Sequence, residues 1–353
     1  MHYFRSVMIA QKRNVYGTIG MTLIGACVGM LFVGYVLFLR PNVLVGRPAQ
    51  TLVVAPGTLF EDLISDLDAQ GYIASGFSFK TAARLMRLPQ KALPGSYRLT
   101  SNMTNWDALG CLRAGLQTPI RITLSRARSL HEIASSLTHK ICLDATTIEQ
   151  ILCNPAVTAR YGLTPENVGV MFIPDTYEVY WNISAKALLD KMQAAYRAFW
   201  HAGRRQKAKT LGLTPEEVII LASLVACETN VLDEYPIIAG VYLNRLRRKM
   251  PLQSCPTLLH ALGDPSIRRV LHAHKNVASP YNTYLHRGLP PGPICMPPTA
   301  VVEAVLNASS HTYLFFAAKD DFSGRHVFSS TLTQHAGHAK RYHRALNRRR
   351  IYR

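Results

Sequence analysis

The sequence predicts an α+β protein with a single N-terminal transmembrane helix, a small α+β module and a larger mixed α+β domain. Three observations predict it. Residues 17–39, GTIGMTLIGACVGMLFVGYVLFL, run for 23 positions without a charge. Between residues 50 and 140, short β-like runs alternate with helix-start signals. Residues 214–230, TPEEVIILASLVACETN, hold a nearly unbroken apolar run, and a helix that is apolar all round is a buried helix. At 353 residues the chain is long enough for two or more domains, each with its own core.

The charge balance narrows the partners. Lys and Arg number 40 against 21 Asp and Glu, a formal net charge of +19. Such a surface suits an anion: nucleic acid, phospholipid or an acidic wall polymer. Part of the excess lies in HAKRYHRALNRRRIYR, and residues 346–353 read as a basic tail. No zinc-finger spacing or RNA-recognition signature accompanies it, so nucleic acid is not expected as a partner. The seven cysteines form no CxxC pair, and the thirteen histidines form no HExxH. No metal and no other cofactor is expected. Cys111, Cys142, Cys153, Cys227, Cys255 and Cys295 all follow the apolar segment, where export would permit disulfides without requiring them.

Taken in order, residues 1–16 form a short basic segment with Arg5, Lys12 and Arg13, and Arg40 closes the apolar run. The count of basic residues favours a cytoplasmic N-terminus and an exported body. A cleaved signal peptide is the competing reading. The apolar stretch is long for one and no A-x-A site follows it, so a retained anchor over 17–39 is preferred. Residues 40–50 read as a linker. Within 51–118, TLVV and GSYRLT read as strands, and Thr58–Glu61 and Thr104–Asp107 open helices. From 119 to 345 the pattern is mixed. IRITL precedes a third helix start at Ser129–Glu132. FIPDTYEVYWN alternates like an extended segment, with its aromatics more readily placed in a core than in a groove. Residues 184–202 form a basic amphipathic helix. Thr214, Pro215 and Glu217 then supply a capping box with Pro at the first helical position. Helices follow over 237–246 and 299–306, separated by the turn-rich SPYNTYLHRGLPPGPICMPP. A hairpin is expected from TYLFFAA and RHVFSS around KDDFSG.

The buried helix ends in one carboxylate, Glu228. Desolvation and the negative helix end would both keep it protonated. A carboxyl held neutral near pH 7 is a general acid. In isolation, an exposed helix end is the commoner outcome for such a residue.

Five blocks in order, FIPDTYEVYWN, LASLVACET, NRLRRKMPLQSCPTLLHALG, SPYNTYLHRGLPPGPI and HVFSSTLTQH, resemble the YceG-like endolytic murein transglycosylases. The resemblance implies a LysM-like module over 51–118 and a YceG-like catalytic domain over 119–345. It implies cleavage of the MurNAc–GlcNAc β-1,4 bond within peptidoglycan glycan strands, leaving 1,6-anhydro-MurNAc ends and so terminating or trimming nascent strands. The implied setting is the bacterial inner membrane, with a periplasmic catalytic domain and peptidoglycan synthases as possible partners. The family's catalytic acid falls on Glu228. From the matched motifs, Gln253, Thr257, Tyr281, Asn282 and Tyr284 are expected to bind substrate, each with a structural role as the alternative. Arg245 is expected to brace its helix or pair with the acid, and His335 to bond within the fold.

Ordinary glycosidases use two carboxylates. Lytic transglycosylation needs one, because the sugar's own C6 hydroxyl supplies the nucleophile. Three positions depart from the family: Ala226 stands where a glutamate is usual, Cys255 where an aspartate is usual, and Ser125–Arg128 where a glutamate–glycine turn is usual. Two alternatives therefore remain. One is a hydrolase of the same bond that uses Asp233 or Glu234, although a solvated helix start is the plainer reading of those two. The other is a catalytically weakened wall-binding scaffold of the division and elongation machinery.

Overall fold

The computed structural model describes residues 20–46, 49–264, 267 and 272–349. The expected segment 1–16, the first three positions of the expected span and the end of the basic tail, 350–353, lie outside the described residues. Cα packing separates two units: Met1–Ile120 with Tyr180–Asn182, and Arg121–Val179 with Ile183–Arg353.

The first unit begins with α1 (Gly20–Leu39), an apolar helix with no buried share, whose last five residues, Tyr35–Leu39, wind as a π-helix. At 1.5 Å per residue its 20 residues match the roughly 30 Å hydrocarbon core of a bilayer. It is long and apolar enough to cross a membrane. Strand β1 (Gln50–Val54), helices α2 (Phe60–Ala69) and α3 (Gly76–Leu85), strand β2 (Gly95–Leu99) and helix α4 (Asn105–Ala114) follow. β1 and β2 pair antiparallel, with Leu52 opposite Tyr97. Phe60, Leu63, Leu67, Phe79, Tyr97 and Leu109 fill the core beneath them. α4 starts as expected: Thr104 and Asp107 close a reciprocal capping box. α2 does not. Its N-cap is Leu59, without a side-chain cap, because Thr58 and Leu59 are taken up in pairing with residues 91 and 92.

In the second unit, β3 (Ile120–Thr123) pairs with β4 (Thr176–Val179). Between them lie α5 (Leu130–Thr138), α6 (Ala145–Leu152) and the short α7 (Pro155–Thr158). Tyr177 and Val179 are buried and Thr176 and Glu178 exposed, as the alternation requires. The basic amphipathic helix forms as α8 (Ala185–Phe199), a little shorter than expected, and a separate helix, α9 (Ala202–Leu211), follows it. The break falls at Trp200, which is 1% exposed and turns inward against Tyr196 and Phe199.

Helix α10 (Pro215–Glu228) is the axis of the larger core. The Thr214–Glu217 capping box forms, and every residue from Val218 to Ala226 is buried. Ser223, the one polar interruption, is spent inside. Its Oγ donates to Ile220 O at 2.7 Å and accepts from Ile294 N at 3.1 Å, which ties the turn-rich loop to the helix. α11 (Tyr235–Arg247), α12 (Cys255–Leu262) and α13 (Thr299–Leu306) pack around α10. Gly292 of the loop lets its backbone approach another segment: a Cβ there would stand 1.8 Å from Glu166 O. The hairpin forms from β5 (Phe315–Ala318) and β6 (His326–Ser329), with Phe316 opposite Phe328. The basic helix α14 (Leu332–Arg348) follows, capped by Thr331.

Candidate active site

Glu228 ends α10 and is partly exposed. Two hydroxyls converge on one of its oxygens. Tyr242 Oη on α11 donates to Oε1 at 2.5 Å, and Ser254 Oγ, just before α12, donates to the same atom at 2.7 Å. No hydrogen bond engages Oε2 among the described residues. Desolvation pushes the Glu228 carboxyl above its ordinary value, against the downward pull of Tyr242, Ser254, His326 and Arg245. A carboxyl with one oxygen held by donors and the other open is arranged to carry its proton on the open oxygen. That is the geometry of a general acid.

The donors are themselves fixed. Tyr242 is 1% exposed and packs edge-on against Phe316 at 5.9 Å. Ser254 is held by a relay: its N donates to Thr283 Oγ1, and Thr257 Oγ1 donates to its carbonyl at 2.7 Å. Thr257 and Asn282, expected to touch substrate, are instead fully buried. Thr257 spends its hydroxyl on Ser254 and Thr283, and Asn282 donates to Lys275 O and Val277 O while accepting from Tyr284 N. Their polar atoms build the site without opening onto it. Gln253 is exposed at φ 51°, with Oε1 3.3 Å from Arg245 Nη1.

The two tyrosines are half-buried and flank different features. Tyr284 Oη lies 3.3 Å from Cys255 Sγ, and Lys275 Nζ sits 5.2 Å from its ring centre. Tyr281 donates to Glu166 O at 3.2 Å and packs on His260 at 4.6 Å. The Tyr281 and His260 rings line an open cavity of about 230 Å³ with Arg128, Ser129, Glu166 and Cys295, and Tyr284 does not. Glu228 is not among the residues that line this cavity. Its neighbour Cys227 lies 3.2 Å, sulfur to sulfur, from Cys295, and both are free thiols.

Arg245 braces rather than pairs. It donates to the carbonyls of Leu314, Pro251 and Leu252 and makes no ion pair with Glu228. Arg126, from the departing Ser125–Arg128 stretch, donates to Ala226 O at 2.5 Å. It thereby satisfies one of the orphan carbonyls at the helix end. His335 stacks on Phe315 at 5.3 Å, and its buried Nδ1 has no partner among the described residues. Asp233 is exposed and ion-paired with Arg325. Glu234 is 2% exposed, not solvated as its position at a helix start implied, and both its oxygens accept hydrogen bonds. Among the described residues, no group of three or more His, Cys, Asp or Glu side chains is placed to hold a metal ion.

Tyr242 and Ser254 were missed from the sequence. Ser254 sits inside the LQSCPT block beside Gln253, and Tyr242 lies 14 residues beyond Glu228 on the next helix. The matched block was the available signal for the first; nothing local marks the second.

Comparison with known proteins shows the family. Residues 52–341 match the YceG-like family. An endolytic murein transglycosylase of Streptococcus pneumoniae (strain D39) is 28% identical over 320 residues, covering 81% of this chain and 57% of that protein. One from Bacillus subtilis is 37% identical over 138 residues, 39% of this chain and 38% of that one. This chain thus spans little more than half the length of the first relative and less of the second. A crystal structure of a yceG-like protein from Listeria monocytogenes matches with a TM-score of 0.53 at 25% identity, covering 83% of this chain and 99% of that one. The chain belongs to the YceG-like family.

Proposed function

We propose that the protein is a membrane-anchored endolytic lytic transglycosylase. It cleaves the MurNAc–GlcNAc β-1,4 bond within peptidoglycan strands, leaves 1,6-anhydro-MurNAc ends and so terminates or trims nascent strands. The observation that carries this reading is the Glu228 carboxyl, raised by desolvation, with Oε1 held by Tyr242 and Ser254 and Oε2 open. Glu228 gives its proton to the leaving glycosidic oxygen. The carboxylate that results, steadied by the same two hydroxyls, takes the proton of the C6 hydroxyl as that oxygen closes on C1. One group serves both steps. Asp233, in its ion pair, and Glu234, with both oxygens engaged, are poorly placed to activate water, which supports the lyase over the hydrolase.

Gln253, Tyr281 and Tyr284 are the proposed sugar contacts, through one exposed amide and two half-buried rings. Ala226 and Cys255 do not dismantle the site: Ala226 is buried in the helix, and Cys255 keeps a polar neighbour in Tyr284. α1 is proposed as a retained inner-membrane anchor, with its N-terminus cytoplasmic and the remainder periplasmic. The β–α–α–β order of β1, α2, α3 and β2 supports reading residues 51–118 as a LysM-like glycan-binding module. Peptidoglycan synthases are proposed partners on the resemblance alone.

The test is digestion of purified peptidoglycan by the full chain in detergent, wild type beside Glu228→Gln, with mass analysis of the products. Anhydro ends, one water lighter than reducing ends, are expected from the wild type and none from the variant. Equal release by both proteins sinks the catalytic assignment, and reducing ends favour the hydrolase.

A further inference from the structure

Glu234 is the most buried carboxylate among the described residues, and its bonds converge on one side chain. Oε1 accepts from the backbone N of His326 at 2.7 Å. Oε2 lies 2.8 Å from His326 Nδ1 and accepts from Thr229 Oγ1 at 3.2 Å. Thr229 is the residue immediately after Glu228. A carboxylate accepts and does not donate, so Nδ1 carries the ring proton and Nε2 is left with its lone pair. Nε2 has no hydrogen-bond partner among the described residues.

The ring is also close to the acid's surroundings. It packs edge-on against Phe316 at 5.4 Å, and Phe316 packs on Tyr242, the donor to Glu228. The positive form of the imidazole pulls the Glu228 carboxyl down from across this cluster. The charged and titratable groups around the ring are Glu234, Arg325 with its partner Asp233, Glu228 and Tyr242. Bracing the hairpin requires only the bond to the backbone N of His326. The second bond, to the ring, sets a tautomer.

We propose that Glu234 and His326 form a fixed-tautomer pair whose Nε2 accepts a hydrogen bond from a hydroxyl of the bound N-acetylated sugar beside Glu228. This rests on the reading of the site as a glycan-cleaving centre.

Glu234→Gln separates the tautomer from the brace. The backbone N–H of His326 cannot change direction, so the glutamine carbonyl must face it. The amide NH2 then faces Nδ1, which becomes an acceptor, and the ring proton moves to Nε2. A near-isosteric substitution thus turns the sugar-facing atom from acceptor to donor. The experiment uses the full chain in detergent and reads three quantities for wild type, Glu234→Gln, His326→Gln and Glu228→Gln. They are the ¹⁵N ring shifts of His326, the pH profile of kcat/KM on purified glycan strands, and the thermal unfolding midpoint.

The expected wild type has Nδ1 protonated and Nε2 without a proton. The expected Glu234→Gln protein is folded, shows the inverted tautomer, has an altered pH profile and loses about tenfold or more in kcat/KM. His326→Gln loses activity to a similar extent. A protonated Nε2 in the neutral wild type, or a folded Glu234→Gln or His326→Gln with wild-type kcat/KM and pH profile, overturns the proposal. If that happens while Glu228→Gln is inactive, only the pair's role falls. If Glu228→Gln itself retains full activity, the glycan-cleavage reading falls and takes the pair's role with it.

Discussion

Removing the Tyr242 hydroxyl tests the acid most directly. Tyr242→Phe keeps the ring, its packing on Phe316 and its place in the core, and deletes one atom 2.5 Å from Glu228 Oε1. A hydrogen bond to a charged group contributes about 1.5–3 kcal/mol. It favours the carboxylate, since the hydroxyl donates to an oxygen that carries charge only after the proton has left. Without that bond the Glu228 carboxyl should rise further in the variant. The direction follows from the wild type, where this bond is the largest influence opposing desolvation. The protonated acid then persists to higher pH, so the alkaline limb of kcat/KM should move up. At the wild-type optimum, kcat should fall, because the carboxylate proposed to accept the C6 proton has lost one of its two hydroxyl donors. The assay is quantification of anhydro ends by mass spectrometry across pH. An alkaline limb that stays in place or moves down refutes the account of Oε1 as the stabilised oxygen.

Other outcomes follow from the same structure. Glu228→Gln should stabilise the protein near neutral pH. The folded carboxyl holds its proton more tightly than the unfolded one, so wild-type stability declines as pH rises from the unfolded value near 4.5 through the raised folded value. The unfolding midpoint of the variant should exceed that of wild type at pH 8 and converge with it at pH 4; equal gaps at both refute the linkage. Gly292→Ala should destabilise by about 1–3 kcal/mol, because its Cβ meets the Glu166 carbonyl, a backbone atom that cannot swing aside. Denaturant unfolding measures this, and an unchanged midpoint would count against the close approach. Cys227 should be alkylated before Cys295. Its hydrogen bond with Cys295 and the Arg126 guanidinium hold its thiol down, whereas Cys227 and burial push Cys295 up. Peptide mapping after brief labelling distinguishes the two sites.

Much of the architecture could be read from short-range pattern. The capping box at Thr214, the Pro at the first helical position and the unbroken apolar run specify α10 from within the segment itself. The hairpin and α13 likewise carry their signals locally. Features set by distant partners could not be read this way. The Thr58 signal was sound as a local pattern, but pairing with residues 91 and 92 moved the helix start. Trp200 ends α8 a little before the expected residue 202 because its ring has a core to enter, and periodicity records no such destination. The site divides in the same way. Glu228 stood out through its position on a buried helix, together with the family motif. Tyr242 and Ser254 act on it across 14 and 26 residues of chain, Thr257 turned inward where Thr283 arrives from another segment, and Asn282 turned inward onto the carbonyls of Lys275 and Val277 in its own loop. Side-chain chemistry named these residues as polar and functional; only tertiary placement decides between touching a ligand and holding what touches it.

Ser223 has a consequence for register. A helix with an amphipathic stripe knows which way to face, but α10 is apolar on every side and has no such cue. Sliding it by one residue would translate Glu228 by about 1.5 Å and rotate it by about 100° at little hydrophobic cost. The single hydroxyl of Ser223, bonded to Ile294 N, makes every other setting leave a buried polar group unmet. It plays here the part that a lone buried asparagine plays in a coiled coil. One oxygen atom, five residues upstream, indexes the helix so that the carboxyl arrives where its two donors wait.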